Sequence, residues 1–417
     1  MAVTTAPAGV DRTPGDALVT APVLIGFADA LAAPETAWSL LGSGRPVVAF
    51  ARRGSRPALR RCKGVELVEI TPPEQDATQA VSELRALLQG NDYVALMPLD
   101  DAAVWLCSAA CEDQAIPLVG PSGETALLAL DKRLQLAAAA RAGFRVPLTQ
   151  VVETVDDLLA LSDLPVQLKP AQPMMERDGR LVRGGNFVCG DRDELMAAAR
   201  AWNGAHPLLA QPLLDGVGEG LFGLAGPDGV HAWSAHRRIR MMNPHGSGSS
   251  ACASAPVEEE LARAAERMLL DVGWNGLFMV EILRSRDGVP WFMELNGRPW
   301  GSMALARRSG LEYPAWALSR RLDPEVELPP APPAQTRTCR HLGRELVHLL
   351  MVLRGPKSDA VAHWPSRRRA ARDVLTFRRD DDWYNWHPRN PGLFVEDTLR
   401  TVLDQLPRKL TPWRGSA

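Results

Sequence analysis

VEILRSRDGVPWFMELNGRPWGS, residues 280–302, decides the reading of this chain. Successive side chains of an extended strand point to opposite faces. Glu294, Asn296 and Arg298 therefore share one face, and Met293 and Leu295 share the other. A solvated outer face is one account of such a polar row. The residues just upstream offer another. Asp287-Gly288 is a signal for a two-residue hairpin turn. With that turn, Phe292 faces Leu283, Met293 faces Ile282, Leu295 faces Val280, and Glu281 falls directly opposite Glu294. Facing carboxylates repel across a sheet. Close together, they stay ionised only if a cation joins them; otherwise a pKa rises. Asn296 adds a neutral oxygen to the same face. A hard cation such as Mg²⁺ takes oxygen ligands, with one or two carboxylates and substrate phosphates among them. The guanidinium fork of Arg298 suits a phosphate oxygen. The row thus predicts a metal–nucleotide site, on condition that the register holds, since a slip of one residue moves every side chain to the other face.

Around this hairpin lies a chain of 417 residues, 46% hydrophobic, long enough for two to four domains or subdomains. Lys and Arg number 47 against 49 Asp and Glu, a net charge of -2. This balance gives no broad attraction to nucleic acid, and no apolar run approaches membrane-spanning length. Residues 1–20 read as a disordered leader. The six cysteines (Cys62, Cys107, Cys111, Cys189, Cys252, Cys339) form no zinc motif. As scattered single thiols they fit a reducing cytoplasm. Only five of the basic residues are lysine: Lys63, Lys132, Lys169, Lys357 and Lys409. Where Lys survives in so Arg-rich a chain, a compact charge on a flexible stem is a candidate requirement.

Apolar runs at 21–30, 45–53, 65–70, 93–101 and 116–120 alternate with helical patterns, which predicts a parallel sheet over residues 21–121. Ligands of such sheets sit at the carboxyl ends of the strands. Asp100 and Asp101 stand at one such end, where a helix N-terminus would also favour them. The stretch 122–147 is helical, ended by Gly143 with Pro147 beyond, and LPVQLKPA (164–171) is a strand bearing Lys169. RDGRLVRGGNFVCG (177–190) reads as a Gly-rich mobile hairpin. AHRRIRMMN (235–243) puts His236, Arg238 and Arg240 on one strand face and Arg237 on the other, and NPHGSGSS (243–250) reads as a loop beside the site. Proline density at 328–336 marks a linker before a separate unit, 337–417. Its basic and aromatic stretches read as helix surface and loop packing.

The 280–302 stretch resembles the metal-binding end of ATP-grasp enzymes, with a Glu on one strand and Glu-x-Asn-x-Arg on the next. The resemblance extends backward in order through LDKRLQLAAAARAGFRVP (130–147), PVQLKPA (165–171) and LLAQPLLDGVGEG (208–220), covering about residues 20–325. It implies an α/β fold, α+β in the ATP-grasp part: an N-terminal parallel domain (21–121), a small lobe (122–200), a large lobe with the metal site (201–327) and an appended C-terminal unit (337–417). It also implies ATP with Mg²⁺, or Mn²⁺ in its place, at Glu281, Glu294 and Asn296. Lys132 and Lys169 would touch phosphate. The backbone around Gln211, Leu213 and Leu214 would hold adenine, and Glu219 would contact ribose. Gln211 stands where relatives usually carry an acid, Gly297 where many carry Pro or Thr, and 171–189 lacks the tidy Gly-rich signature.

The activity implied is that of an ATP-dependent ligase in the cytoplasm. A small-molecule carboxylate becomes an acyl phosphate, and an amine displaces phosphate to give an amide. Arg298 would steady the transferred group, and Arg238 and Arg240 would reach the carboxylate or acyl phosphate. Trp300, Gly301 and Ser302 are candidate acceptor contacts. Two alternatives stay open: a small-molecule kinase that stops at a phosphorylated product, and a nucleotide-binding regulatory protein without turnover. No nucleic-acid or membrane partner is expected. Acceptor choice and a homodimer contact are both left open for the C-terminal unit.

Overall fold

The computed structural model describes residues 21–112, 115–244, 246–356, 358, 360–361, 363–379 and 381–405. The leader expected over 1–20 lies outside them. Four apolar runs form a parallel sheet: β1 (Val23–Gly26), β2 (Val47–Arg52), β3 (Val65–Ile70) and β4 (Ala95–Pro98), in the order β3-β2-β1-β4. Every residue of β1 and β4 is buried, as a sheet covered on both faces requires. The run at 116–120 adds only a single bridge, Leu96 to Leu118. Asp100 caps the helix Asp101–Cys111 by accepting a 2.7 Å hydrogen bond from the Ala103 amide.

The small lobe is built from β5 (Gln150–Val152), β6 (Val166–Pro170), a two-stranded hairpin of β7 (Met175–Arg177) and β8 (Arg180–Val182), β9 (Phe187–Cys189) and β10 (Leu208–Pro212). Its antiparallel sheet runs β5-β10-β6-β9. The boundary expected between residues 200 and 201 is therefore too early, because β10 is an inner strand of this lobe. The helix Lys132–Arg141 departs from expectation in the opposite sense. Its Leu136 and Ala139 share a core with Phe292 and Leu295 of the large sheet. The β7–β8 hairpin, expected as a mobile element, is docked on the N-terminal domain. Leu181 donates its amide to the Pro73 carbonyl at 2.8 Å, Ala77 donates to the Gly179 carbonyl at 2.8 Å, and the Leu181 side chain is fully buried beside Leu84 and Leu106.

The large sheet has seven strands: β11 (Gly216–Gly226), β12 (Gly229–Asn243), β13 (Ser247–Ala255), β14 (Gly276–Ser285), β15 (Pro290–Asn296), β16 (Thr338–Arg340) and β17 (Asp381–Trp383). Their order is β15-β14-β11-β12-β13-β16-β17. The unit expected as separate from 337 onward is continuous with this sheet, since β16 pairs antiparallel with β13 and β17 pairs parallel with β16. Its helix Leu342–Arg354 packs on β12 and β13. The last helix, Pro391–Leu403, reaches back to the N-terminal domain, where Glu396 pairs with Arg60 and Arg61. The Gly/Ser run at 247–250, expected as a loop, is the start of β13.

The deciding hairpin reaches its register by an unexpected route. Gly288 alone takes a positive φ (86°), and Ser285 pairs with Val289, so the loop has three residues rather than two. That shifts the pairs next to the turn by one: Trp291 faces Leu283 and Phe292 faces Ile282. A β-bulge at Met293 then restores the register, and Glu281 faces Glu294 and Val280 faces Leu295, as expected. The bulge sends Phe292 and Leu295 together into the core and leaves Met293 on the cavity side with Glu294.

Candidate active site

Between the small lobe and the large sheet lies a cavity of about 860 Å³. Lys169 enters from β6, Leu213 and Leu214 from the crossover after β10, and Arg238 and Arg240 from β12. Glu281 comes from β14, Glu294 from β15, and Arg298 from just beyond it. Lys132 enters at the start of its helix, whose position on β15 is fixed by a two-way amide clamp. Gln135 Nε2 donates to the Leu295 carbonyl at 3.0 Å, and the Leu295 amide donates to Gln135 Oε1 at 2.9 Å. Both groups of the clamp are buried, so each would be orphaned without the other.

The two facing carboxylates are held by two cations. Lys132 Nζ pairs with Glu294 Oε2, and Arg238 Nη1 lies 2.8 Å from Glu281 Oε1. A divalent ion is thus one way to make their closeness tolerable, and the chain itself supplies another. Lys132 and its hydrogen bond hold the Glu294 carboxyl well below the usual carboxylate range against the opposing effect of burial. Gly218 makes room for the arrangement, because a Cβ there would stand 2.6 Å from Arg238 Cδ. Asn296 Nδ2 donates to Glu294 Oε1 at 3.2 Å. Its Oδ1 accepts no hydrogen bond among the described residues. Two carboxylates and one amide oxygen on neighbouring strands fit Mg²⁺, which keeps waters and substrate phosphates as its other ligands. Among the described residues no cluster of three His, Cys, Asp or Glu side chains offers an all-protein cage.

Lys169 has no acidic partner among the described residues. Burial, reinforced by the charge of Lys132, pushes its pKa down to about 8. Arg298 Nε donates to Asp101 Oδ1 at 2.8 Å, which brings the carboxyl end of β4 to the site. Asp100 remains a helix cap, its carboxyl pushed up to about 6 by burial.

Several expected residues stand elsewhere. Glu219 is turned to the other face of the sheet, where it pairs with Arg284 at 2.9 Å and Arg237 at 3.0 Å. The Gln211 side chain is buried and donates to Thr149 Oγ1 at 2.9 Å, leaving only its backbone near the crossover. Arg240 borders the cavity but makes a two-pronged pair with the buried Glu345, at 3.0 and 2.8 Å. Trp300 is fully buried and stacks on Phe222 at 4.6 Å, a packing role. Ser302 Oγ lies 2.7 Å from His236 Nδ1 in the interior.

Other wall residues went unread in the sequence. Arg183 and Asn186 border the cavity from the segment linking β8 to β9, and Arg183 lies 3.8 Å from Asp101. The Gly-Gly after Arg183 was the available signal. Ala360, Val361 and His363 close another wall, with His363 Nδ1 2.8 Å from Asp215 Oδ2. No spacing in the sequence ties those residues to the lobes they touch.

A small antiparallel lobe faces a larger sheet, with lysines from both sides and carboxylates on adjacent strands. The chain has the ATP-grasp fold. Residues 231–341 match a family model described as ATP-grasp in the biosynthetic pathway with Ter operon. That match runs from β12 through β16. The carbamoyl phosphate synthase large chain of Deinococcus deserti is 29% identical over 196 residues, which is 45% of this chain and 19% of that protein. The chain thus spans about a fifth of the length of this curated relative. Among solved structures, the L-amino acid ligase from Bacillus licheniformis superposes with TM-score 0.56 at 19% identity, covering 73% of this chain and 74% of that one. The ADP complex of purK, N5-carboxyaminoimidazole ribonucleotide synthetase, gives TM-score 0.58 at 15% identity, covering 81% and 86%. The biotin carboxylase domain of Hydrogenobacter thermophilus 2-oxoglutarate carboxylase, complexed with MgADP and bicarbonate, gives TM-score 0.58 at 16% identity, covering 75% and 71%.

Proposed function

We propose that this protein is an ATP-dependent carboxylate–amine ligase. The observation that carries the reading is the convergence on one cavity of facing Glu281 and Glu294 with Lys132, Lys169, Arg238 and Arg298, supplied by five separate segments. Enzymes of this kind do little covalent chemistry themselves; they position groups and neutralise charge. Lys169, the cavity's partnerless lysine, receives a nucleotide phosphate. Lys132 and Arg238 exchange their carboxylate partners for phosphate and acyl-phosphate oxygens. Arg298, held by Asp101, steadies the transferred group. The apolar end, with Leu213, Leu214 and Val188, suits a purine.

Glu281, Glu294 and Asn296 would hold Mg²⁺, which when bound supplies neutralisation of the phosphate oxygens. The carbamoyl phosphate synthase, L-amino acid ligase and purK likenesses support activation of a small carboxylate followed by C–N bond formation. The test is phosphate release from ATP with pooled small carboxylic acids and pooled amines, together with mass detection of the product. Release that requires both acid and amine, with a product one water lighter than their sum, is the expected result. Release with acid alone and a stable phosphorylated product would assign a kinase, and no release would assign a binding protein.

A further inference from the structure

Cations along the cavity are almost all matched. Lys132 has Glu294, Arg238 has Glu281, Arg298 has Asp101, Arg240 has Glu345 and His363 has Asp215. Among the described residues Lys169 forms no ion pair, and neither does Arg344, which comes from the helix Leu342–Arg354 and stands behind the cavity-wall residue Gly248. Arg344 Nη1 donates to the Ser249 carbonyl at 3.1 Å and makes no ion pair among the described residues. Its guanidinium lies against Gly248, a wall residue with φ of +60°, where a Cβ would stand 3.0 Å from Nη1.

Two features make this placement unfavourable for a merely structural residue. Arg344 lies in the first turn of its helix, where the helix dipole opposes a cation. It is also half-buried with one carbonyl as its hydrogen-bond acceptor; desolvation lowers its pKa, Tyr384 and Asp397 oppose that, and the charge of Arg238 adds to it. A half-buried charge that has a carboxylate in its surroundings but no ion pair keeps part of its desolvation cost; an incoming anion relieves that cost. The electrostatic neighbours of Lys169 are Lys132, Glu294 and Glu281, whereas those of Arg344 are Tyr384, Asp397, Cys252 and Arg238. The two cations therefore stand among different charged neighbours.

We infer that Arg344 binds a carboxylate of the small-molecule substrate, so that the C-terminal unit selects the substrate while the two lobes hold the nucleotide. This rests on the ligase reading. Arg344 is a binding residue here; the reacting groups remain those of the lobes.

The test uses the full-length protein and calorimetry. MgADP is titrated first into wild type, Arg344→Met and Arg344→Lys; all three bind it within about twofold of one another. The proteinogenic L-amino acids and short linear mono- and dicarboxylic acids, with their carboxamides, are then titrated into the MgADP-saturated proteins. At least one acid binds wild type while its carboxamide does not. Its affinity falls roughly 30-fold or more in Arg344→Met, the scale of losing one partner of a desolvated charge pair, and less in Arg344→Lys. If Arg344→Met is too unstable to purify, Arg344→Lys decides alone, through a loss of at least about fivefold from the missing fork. Equal acid affinity in the variants, or no acid binding to wild type that binds MgADP, overturns the inference and leaves the ligase reading standing. Failure of wild type to bind MgADP overturns both.

Discussion

Replacing Glu294 by Gln tests the charge arrangement at the cavity floor. The Lys132 side chain is 16% exposed and Glu294 is 30% exposed. Two unit charges about 4 Å apart interact by about 4 kcal/mol at an effective dielectric near 20, and removing one partner of a buried pair costs about 3–5 kcal/mol. Because nearly a third of Glu294 reaches solvent, the expected loss is smaller, about 2–3 kcal/mol. Lys132 would then stand beside Lys169 without its ion-pair partner, leaving only the more distant Glu281 and Asp101 to offset the two charges. Urea unfolding at pH 7, followed by tryptophan fluorescence, reads the change. The double variant Lys132→Met/Glu294→Gln should regain most of the loss, since it removes the orphaned charge as well. The pH dependence follows from the depressed carboxyl. Its stabilisation is present above the ordinary carboxylate range and is lost as pH falls through the folded-state pKa. The gap between wild type and Glu294→Gln should therefore be full near neutrality and narrow in acid. A Glu294→Gln protein as stable as wild type at pH 7, or a double variant as unstable as the two single losses combined, would refute the reasoning.

Lys169, with a pKa near 8, should be charged only in part above that pH. ADP binding is then expected to take up a proton and to weaken as pH rises past 8, with both effects absent in Lys169→Met; calorimetry in buffers of different ionisation enthalpy checks this. Gln135→Ala should destabilise the fold by about 2–4 kcal/mol, because it orphans buried groups at both ends of the Leu295 clamp. It should also weaken ADP binding by freeing Lys132; unfolding midpoints and binding constants read these together. Leu181→Ala should cost about 2–5 kcal/mol through the cavity left in the N-terminal core, whereas an undocked hairpin would show almost no change in denaturation. Gly288→Ala should cost about 1–2 kcal/mol, since it forces a Cβ onto a positive φ.

How far the sequence could be read depended on sequence separation. The parallel sheet was legible because each buried strand is a local apolar run. The pairing of Glu281 with Glu294 was legible because the two residues belong to one hairpin. Even there two departures offset each other: a three-residue loop and a bulge at Met293 together give the register that a two-residue turn alone would give. Lys132 and Lys169 were legible through motif order and through the scarcity of lysine. Their partners were not, since the contact of Lys132 with Glu294 spans 162 positions and follows from the Gln135 clamp. Glu219 shows the limit of spacing: its strand is placed as expected, yet Arg284 and Arg237 hold it on the opposite face. The C-terminal unit was misjudged because the proline run before it looks the same whether the chain leaves the sheet or returns to its edge as β16.

The central claim is that Glu281 and Glu294 serve a divalent ion once phosphate draws Lys132 and Arg238 away. The most direct measurement is ADP affinity with and without Mg²⁺ in wild type and in Glu281→Gln/Glu294→Gln. The account predicts that Mg²⁺ tightens ADP binding in wild type, and that the double variant loses this gain while still binding metal-free ADP through its freed cations. An unchanged Mg²⁺ gain in the double variant would contradict it.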